Sequence, residues 1–303
     1  METRVLLSTY QGERYLGAQL ESIFAQQGID VTLAVRDDGS SDRTLELLSA
    51  SAAAEPRLVA FEAGINRGVI ASFEMLLRQH GRCCTHVAFA DQDDVWMPHK
   101  LHRAASTLAT VDPATPALYC SRLTYTDRNL RPLGHSALPR RPLGLDNALV
   151  ENVATGCTIV MNRAAVDLLV DKPWPDTVIM HDWWCYLVVG ACGRVLYDPD
   201  PSLFYRQHGA NAIGIGSTAV HRLARRVRGQ LARPPGRCRQ QARDLLRLHG
   251  EHMPPEARAR VTRFAEAAAG QGSLAYVRRG DRAYRQSLLD DAALCTLLLL
   301  GRI

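Results

Sequence analysis

No stretch of this chain is apolar over the about 20 residues that a membrane-crossing helix needs. The longest near the end, residues 292–300, falls well short. No secretory signal is legible at the start, because Met1-Glu2-Thr3-Arg4 leads straight into the brief apolar group Val5-Leu6-Leu7. A cytoplasmic protein is the expectation. The eight cysteines (Cys83, Cys84, Cys120, Cys157, Cys185, Cys192, Cys238 and Cys295) form no C-x-x-C pair, which argues against a disulfide framework and a zinc site. Several stand among apolar residues, where a reduced thiol packs as a small hydrophobe. Phosphate-binding signatures are missing as well. No G-x-G-x-x-G follows the first apolar run and no G-x-x-x-x-G-K-[ST] occurs, so neither a dinucleotide fingerprint nor a P-loop is available. What remains is an ordinary soluble composition of 303 residues, 47% hydrophobic and 22% charged, enough for one large or two small domains.

The first half alternates between two hydrophobic periods, as strands and helices wound into a parallel sheet do. Residues 5–9, 31–35 and 58–61 read as strands, and His86-Val87-Ala88-Phe89-Ala90 as a fourth. Between them, residues 15–26 put Leu16, Leu20, Ile23 and Phe24 on one helical face. Asp42 is placed to cap a helix carrying Leu45, Leu47 and Leu48, and another helix runs through Phe73 and Leu77. Polar groups leave the same ends of these strands: Ser8-Thr9-Tyr10, Asp37-Asp38, and Asp91 with Asp93. Open parallel sheets bind ligands at the carboxyl ends of strands, near the point where strand order reverses. The three segments are expected to converge on one crevice.

Most informative is Asp91-Gln92-Asp93-Asp94, directly behind the fourth strand. Carboxylates one residue apart can hold a hard divalent cation from one side and leave its other positions to water and a phosphate-bearing substrate. That suits a nucleotide diphosphate, and without a glycine-rich loop a metal has to meet the phosphates. In isolation the same motif reads as an Asp-rich turn with a solvated face.

Taken with Ser8-Thr9-Tyr10 and Gly12, Asp37-Asp38-Gly39-Ser40-Ser41-Asp42, Asn66-x-Gly68, Asp91-Gln92-Asp93-Asp94-Val95-Trp96 and His181-Asp182-Trp183-Trp184, the sequence resembles the inverting nucleotide-sugar glycosyltransferases of family 2. The resemblance covers roughly residues 1–215. It implies an α/β, GT-A fold with a Rossmann-like, mostly parallel sheet: a catalytic domain over 1–215 and an Arg-rich, α-helical C-terminal extension over 216–303. Ala90 before the acid run and Tyr205-Arg206-Gln207-His208-Gly209-x-Asn211 are most similar to bacterial rhamnosyltransferases of surface-polysaccharide assembly, O-antigen included.

The resemblance implies donor contacts from Thr9, Tyr10 and Glu13, and a hydrogen bond from the pyrimidine imide N–H to Asp38. A carboxylate is an acceptor only, so Asp38 would favour uracil or thymine over cytosine, whose N3 carries no proton. Asn66 and Arg67 would reach the base or the phosphates, and Asp91 the ribose. Asp93, with Asp91 and with His208 from the other side of the crevice, would hold Mg²⁺ or Mn²⁺. Asp182 would be the general base that deprotonates the acceptor hydroxyl, with Trp183, Trp184 and Gly156 on the acceptor side. The plain alternatives are a turn for residues 37–40, a turn residue at Asn66, a structural His208, and a capping Asp182 on an aromatic core helix. The leading donor is dTDP-L-rhamnose, with UDP-hexose or UDP-N-acetylhexosamine as rivals. The acceptor class is a glycan or polyprenyl-diphosphate-linked oligosaccharide. A non-catalytic, sugar-nucleotide-binding membrane scaffold is the reading from a different class, and Asp93 and Asp182 speak against it.

Past residue 216 the composition turns basic: Arg222, Arg225, Arg226, Arg228, Arg233, Arg237, Arg239 and Arg243. Leu223, Val227 and Leu231 share a helical face, giving a basic amphipathic segment broken at Pro234-Pro235. Such a segment suits an anionic membrane surface, where each exposed Arg contributes about 1 kcal/mol, and places the protein peripherally on the inner face of the cytoplasmic membrane. A solvated face or internal ion pairs explain it as well. Nucleic-acid binding is not expected, since the arginines lack interleaved aromatics. Residues 257–283 and 288–300 read as further helices.

Overall fold

The computed structural model describes residues 2–207, 235–267 and 271–303. Strands β1 (Glu2–Thr9), β2 (Asp30–Asp37), β3 (Leu58–Ala63) and β4 (His86–Ala90) alternate with helices α1 (Leu16–Phe24), α2 (Thr44–Ala54) and α3 (Val69–His80). Next come β5 (Val95–Trp96), α4 (Lys100–Leu108), β6 (Ala117–Ser121), β7 (Thr124–Thr126), β8 (Pro132–His135) and the single turn α5 (Leu145–Ala148). They are followed by β9 (Val160–Asn162), α6 (Arg163–Asp171), α7 (His181–Cys192), β10 (Arg194–Asp198) and β11 (Leu203–Arg206). Four helices end the chain: α8 (Arg237–His249), α9 (Pro255–Glu266), α10 (Gln271–Val277) and α11 (Leu288–Leu299).

The main sheet has seven strands in the order β10-β6-β9-β4-β1-β2-β3. Its neighbours run parallel except β9, which is antiparallel to β4 and β6. A smaller sheet, β5-β11-β7-β8, adjoins it. From β1 the chain first builds outward through β2 and β3, then returns to place β4 on the opposite flank of β1. That reversal opens a crevice at the strands' carboxyl ends. Thr9 is level with Asp37, and Leu7 with Ala90, so the polar segments that follow leave the sheet side by side.

Period-two alternation sends side chains to both faces of β1, and both faces are dry. Leu6 joins Phe73, Phe89 and Trp184 on one side, while Val5 and Leu7 join Leu16, Ile23 and Leu101 on the other. Each fully buried Leu or Phe contributes about 1.5–3 kcal/mol, so these two layers hold the sheet at the depth where its acidic loops emerge. Helix α7 is apolar nearly all round and is correspondingly buried nearly all round. Its outer cover is the C-terminal helices, whose Ala242, Leu245, Phe264 and Leu294 are fully buried in the same cluster as Trp184.

The expected boundary at 215–216 lies outside the described residues, as do Arg222, Arg225, Arg226, Arg228 and Arg233 of the basic segment. Of the remaining arginines, Arg239 is buried and Arg243 exposed, and both bond within the helical region. Arg239 donates to Ser273 Oγ at 3.3 Å, and Arg243 donates to the Ala265 carbonyl at 3.2 Å. Both tie the helices to one another. Among the described residues no helix is long and apolar enough to cross a membrane.

Candidate active site

The acidic loop after β4 is docked onto the exit of β1. Gln92 Oε1 accepts the Tyr10 N–H at 2.9 Å, and its Nε2 donates to the Tyr10 carbonyl at 2.9 Å, in the manner of an added strand residue. Gly12 makes the approach possible, since a Cβ there would stand 2.3 Å from Gln92 Oε1. With Gln92 fixed, Asp91 and Asp93 are half-buried and Asp94 is driven fully inside. Asp94 Oδ1 accepts the Arg206 N–H at 3.3 Å, while its Oδ2 has no hydrogen-bond partner.

Ligand atoms of Asp91, Asp94 and Cys157 lie within 4.8 Å of one another. Burial, then the carboxylates of Asp93 and Asp182, pushes the Asp91 carboxyl up to about 7. Burial, with Asp91 and Asp93, also holds Asp94 well above the ordinary carboxylate range, and burial raises the Cys157 thiol. Beneath the loop the buried Lys100 ammonium sits 4.1 Å from the centre of the Trp96 ring, and burial pulls it down to about 8. The acidic cluster is thus met from beneath by a buried lysine.

The turn Gly156–Thr158 joins this cluster to the start of α7. The Gly156 N–H donates to Asp182 Oδ2 at 3.0 Å, and the Trp183 N–H to Asp182 Oδ1 at 2.7 Å. A Cβ on Gly156 would come 2.8 Å from His181 Nε2, so glycine is required for the turn to reach the helix. The His181 ring stacks on Phe73 with centroids 4.1 Å apart, and neither of its nitrogens has a hydrogen-bond partner. Burial lowers its pKa, against the opposing pull of the Asp182 charge. Asp182 is therefore oriented by backbone amides, not by His181.

Placing Trp183 and Trp184 on the acceptor side is corrected by their burial. Trp184 is 0% exposed, and the Trp183 indole donates to the Ala148 carbonyl at 2.6 Å inside the core. An all-round apolar helix has no solvated face to lend to a sugar. Thr9 is likewise buried, its hydroxyl donating to Asp37 Oδ1 at 2.9 Å, so it shapes the floor from below. Asp37 completes the turn by accepting from the Gly39 and Ser40 amides at 3.1 and 2.8 Å.

Asp38 is buried and already engaged. Its oxygens accept from Arg36 at 2.5 Å and from the Arg67 and Gly68 amides, both at 2.8 Å. Burial works to raise its pKa, but these hydrogen bonds outweigh it and hold the carboxyl below its ordinary value. Exposed Glu13 accepts the Arg43 N–H at 3.0 Å, at the start of α2. Tyr10, Asn66 and Arg67 are likewise exposed at this end of the sheet. His208 lies outside the described residues.

The family model described as glycosyl transferase family 2 matches residues 4–168, which carry the crevice and the acidic loop. The chain belongs to glycosyl transferase family 2. This transferase is 25% identical over 218 residues to the dTDP-rhamnosyl transferase RfbG of Shigella flexneri, covering 69% of this chain and 73% of that one. It is 32% identical over 217 residues to an uncharacterized glycosyltransferase of Nostoc sp., covering 70% and 66% of the two. Among solved structures, S. aureus TarS 1–349 in complex with UDP-GlcNAc superposes with a TM-score of 0.58 at 16% identity, over 88% of this chain and 72% of that one. In a longer TarS structure the match spans 43% of the chain. The mannosyltransferase PcManGT from Pyrobaculum calidifontis, in complex with GDP-Man and Mn²⁺, superposes with a TM-score of 0.55 at 19% identity, over 99% and 80%. These similarities establish the GT-A fold for the transferase.

Three residues of the transferase's site carry no clear signal in the sequence. Lys100 opens a helix, where a lysine is ordinarily solvated, and Cys157 looks like one more apolar thiol. Arg206 is hidden beside His208, yet its guanidinium contacts the acidic loop directly.

Proposed function

We propose that this glycosyltransferase performs metal-dependent, inverting transfer of L-rhamnose from dTDP-L-rhamnose to a hydroxyl of a glycan or polyprenyl-diphosphate-linked oligosaccharide. The observation that carries the mechanism is the Gly156–Thr158 turn, which bonds Asp182 at one end and sets Cys157 against Asp91 and Asp94 at the other. This supports a reading in which leaving-group and acceptor chemistry meet in one crevice. The acceptor oxygen attacks the anomeric carbon, the bond from that carbon to the diphosphate oxygen breaks, and the acceptor proton passes to Asp182. One displacement inverts the centre.

The chain's residues fit a divalent cation: Asp91 and Asp94 converge, and the buried Asp94 Oδ2 has no partner in the protein. Asp91 and Asp94 would hold Mg²⁺ or Mn²⁺ together with Asp93, and the ion when bound supplies the charge that makes a diphosphate a viable leaving group. Tyr10, Asn66 and Arg67 are the proposed donor contacts, with Asp38 fixing the loop that bears two of them. Gly156 would lie on the acceptor side. The exposed Leu288, Leu289 and Leu300 support a peripheral membrane contact from the cytoplasmic side, close to a lipid-linked acceptor.

The rhamnosyl donor is supported by the printed activity of RfbG, and a UDP-sugar donor by the likeness of fold to TarS. Calorimetric titration with dTDP-L-rhamnose, UDP-glucose, UDP-galactose and UDP-N-acetylglucosamine in Mn²⁺ separates them. Selective dTDP-L-rhamnose binding supports the assignment, and preference for a UDP-sugar discards the rhamnosyl part. Binding of none favours a scaffold. Asp182→Asn should abolish turnover and retain donor binding, whereas an unchanged rate removes Asp182 as the base.

A further inference from the structure

Arg206, at the end of β11, is 4% exposed, and its contacts reach separate parts of the crevice. Its Nε donates to the Asp93 carbonyl at 2.9 Å, and its own backbone N–H to Asp94 Oδ1 at 3.3 Å. A second arm of the fork donates to the Arg128 carbonyl at 2.6 Å, in the turn between β7 and β8. The guanidinium also lies 4.5 Å from the centre of the Tyr15 ring, at the start of α1. One rigid, planar cation thereby bolts the acidic loop to the smaller sheet and to the first helix. A buried Arg is costly to desolvate and is retained where such a fork meets acceptors in fixed directions.

We infer that Arg206 is a positioning residue for the cation site: it fixes the main chain at Asp93, and through it the directions in which Asp91, Asp93 and Asp94 present their oxygens. This rests on the reading of the acidic loop as cation-binding. A partner of this kind, one step removed from the ligands, commonly changes metal affinity by 10–100-fold when lost. Lysine keeps the charge but is a point donor, unable to serve the Asp93 and Arg128 carbonyls together.

The test is calorimetric titration of Mn²⁺ into the full chain at saturating UDP or dTDP, whichever binds, for the parent, Arg206→Lys, Arg206→Met and Tyr15→Leu. Both Arg206 variants are expected to bind Mn²⁺ about tenfold or more weakly, with binding of the nucleotide without metal unchanged, and Arg206→Lys should not rescue. Tyr15→Leu removes the aromatic platform under the guanidinium and should shift affinity the same way by a smaller factor. Mn²⁺ affinity within twofold of the parent in folded Arg206 variants overturns the inference. If neither Arg206 variant folds, Tyr15→Leu decides: weakened affinity supports the role and unchanged affinity refutes it. A parent that binds no Mn²⁺ under these conditions refutes the cation site itself, and Arg206 with it.

Discussion

The Gly156 N–H and the Asp182 carboxylate, 3.0 Å apart, form the link across which the acidic half of the crevice holds the helix half. Gly156→Ala tests that link. The added methyl would meet His181 Nε2 at 2.8 Å, with the imidazole stacked on Phe73 and unable to withdraw freely. Overpacking of this kind costs about 1–3 kcal/mol. The expected result is a lowered melting temperature together with a kcat loss exceeding tenfold. Unaltered turnover would show that the turn does not set the position of Asp182.

Gln92 anchors the acidic loop through two bonds to the main chain of Tyr10. Gln92→Ala should cost about 1 kcal/mol in urea denaturation. Gln92→Glu should cost more despite its closer shape, because a carboxylate cannot donate to the Tyr10 carbonyl and adds negative charge beside Asp91 and Asp93. Equal losses in the two variants would contradict the donor role of the amide.

His249 is 1% exposed against Trp184, with ring centroids 6.0 Å apart. Burial, then His252, pulls its pKa from the ordinary 6.5 to about 4, with Asp171 and Lys172 also facing it. Between those values the unfolded chain binds a proton that the folded chain refuses. Its contribution to stability is therefore whole above about pH 6.5 and is lost as the pH falls toward 4, on the order of 3 kcal/mol at most. His249→Phe should reduce the difference between urea midpoints at pH 7.5 and pH 5. An identical pH dependence in parent and variant would rule this out.

Cys83 is the one exposed thiol; Cys192 and Cys295 are half-covered and the other five are buried. A thiol reagent applied to the native protein should modify one group rapidly, and Cys83→Ser should abolish that phase. Rapid labelling that persists in Cys83→Ser, traced to Cys157, would mean that the crevice floor opens readily.

The strands through Ala90 and the helices on their flanks were legible because their apolar residues repeat at clean periods over buried faces. So was the convergence of Thr9, Asp37 and Asp91, which follows from parallel strands ending at one level. The partners of those residues were not legible. Asp38 reads as an available acceptor until the fold brings Arg36, Arg67 and Gly68 around it, and only one of those is a near neighbour in sequence. Trp183 and Trp184 read as acceptor-side residues until α8 and α9 cover their helix. Cys157 faces Asp91 from 66 positions away in the chain, a distance over which periodicity carries no information.

The family match ends at residue 168, ahead of the helix that carries Asp182, and the other face of that helix is sealed by α8 and α9. A transferase trimmed to the matched residues 4–168 would lose Asp182, and one trimmed just past β11 would leave Trp184 and its neighbours open to water. For engineering, α7 and the helices α8 and α9 that cover it therefore travel together. A chimera that moves α7 between relatives must move the helices that roof it as well, or expose the apolar face they cover.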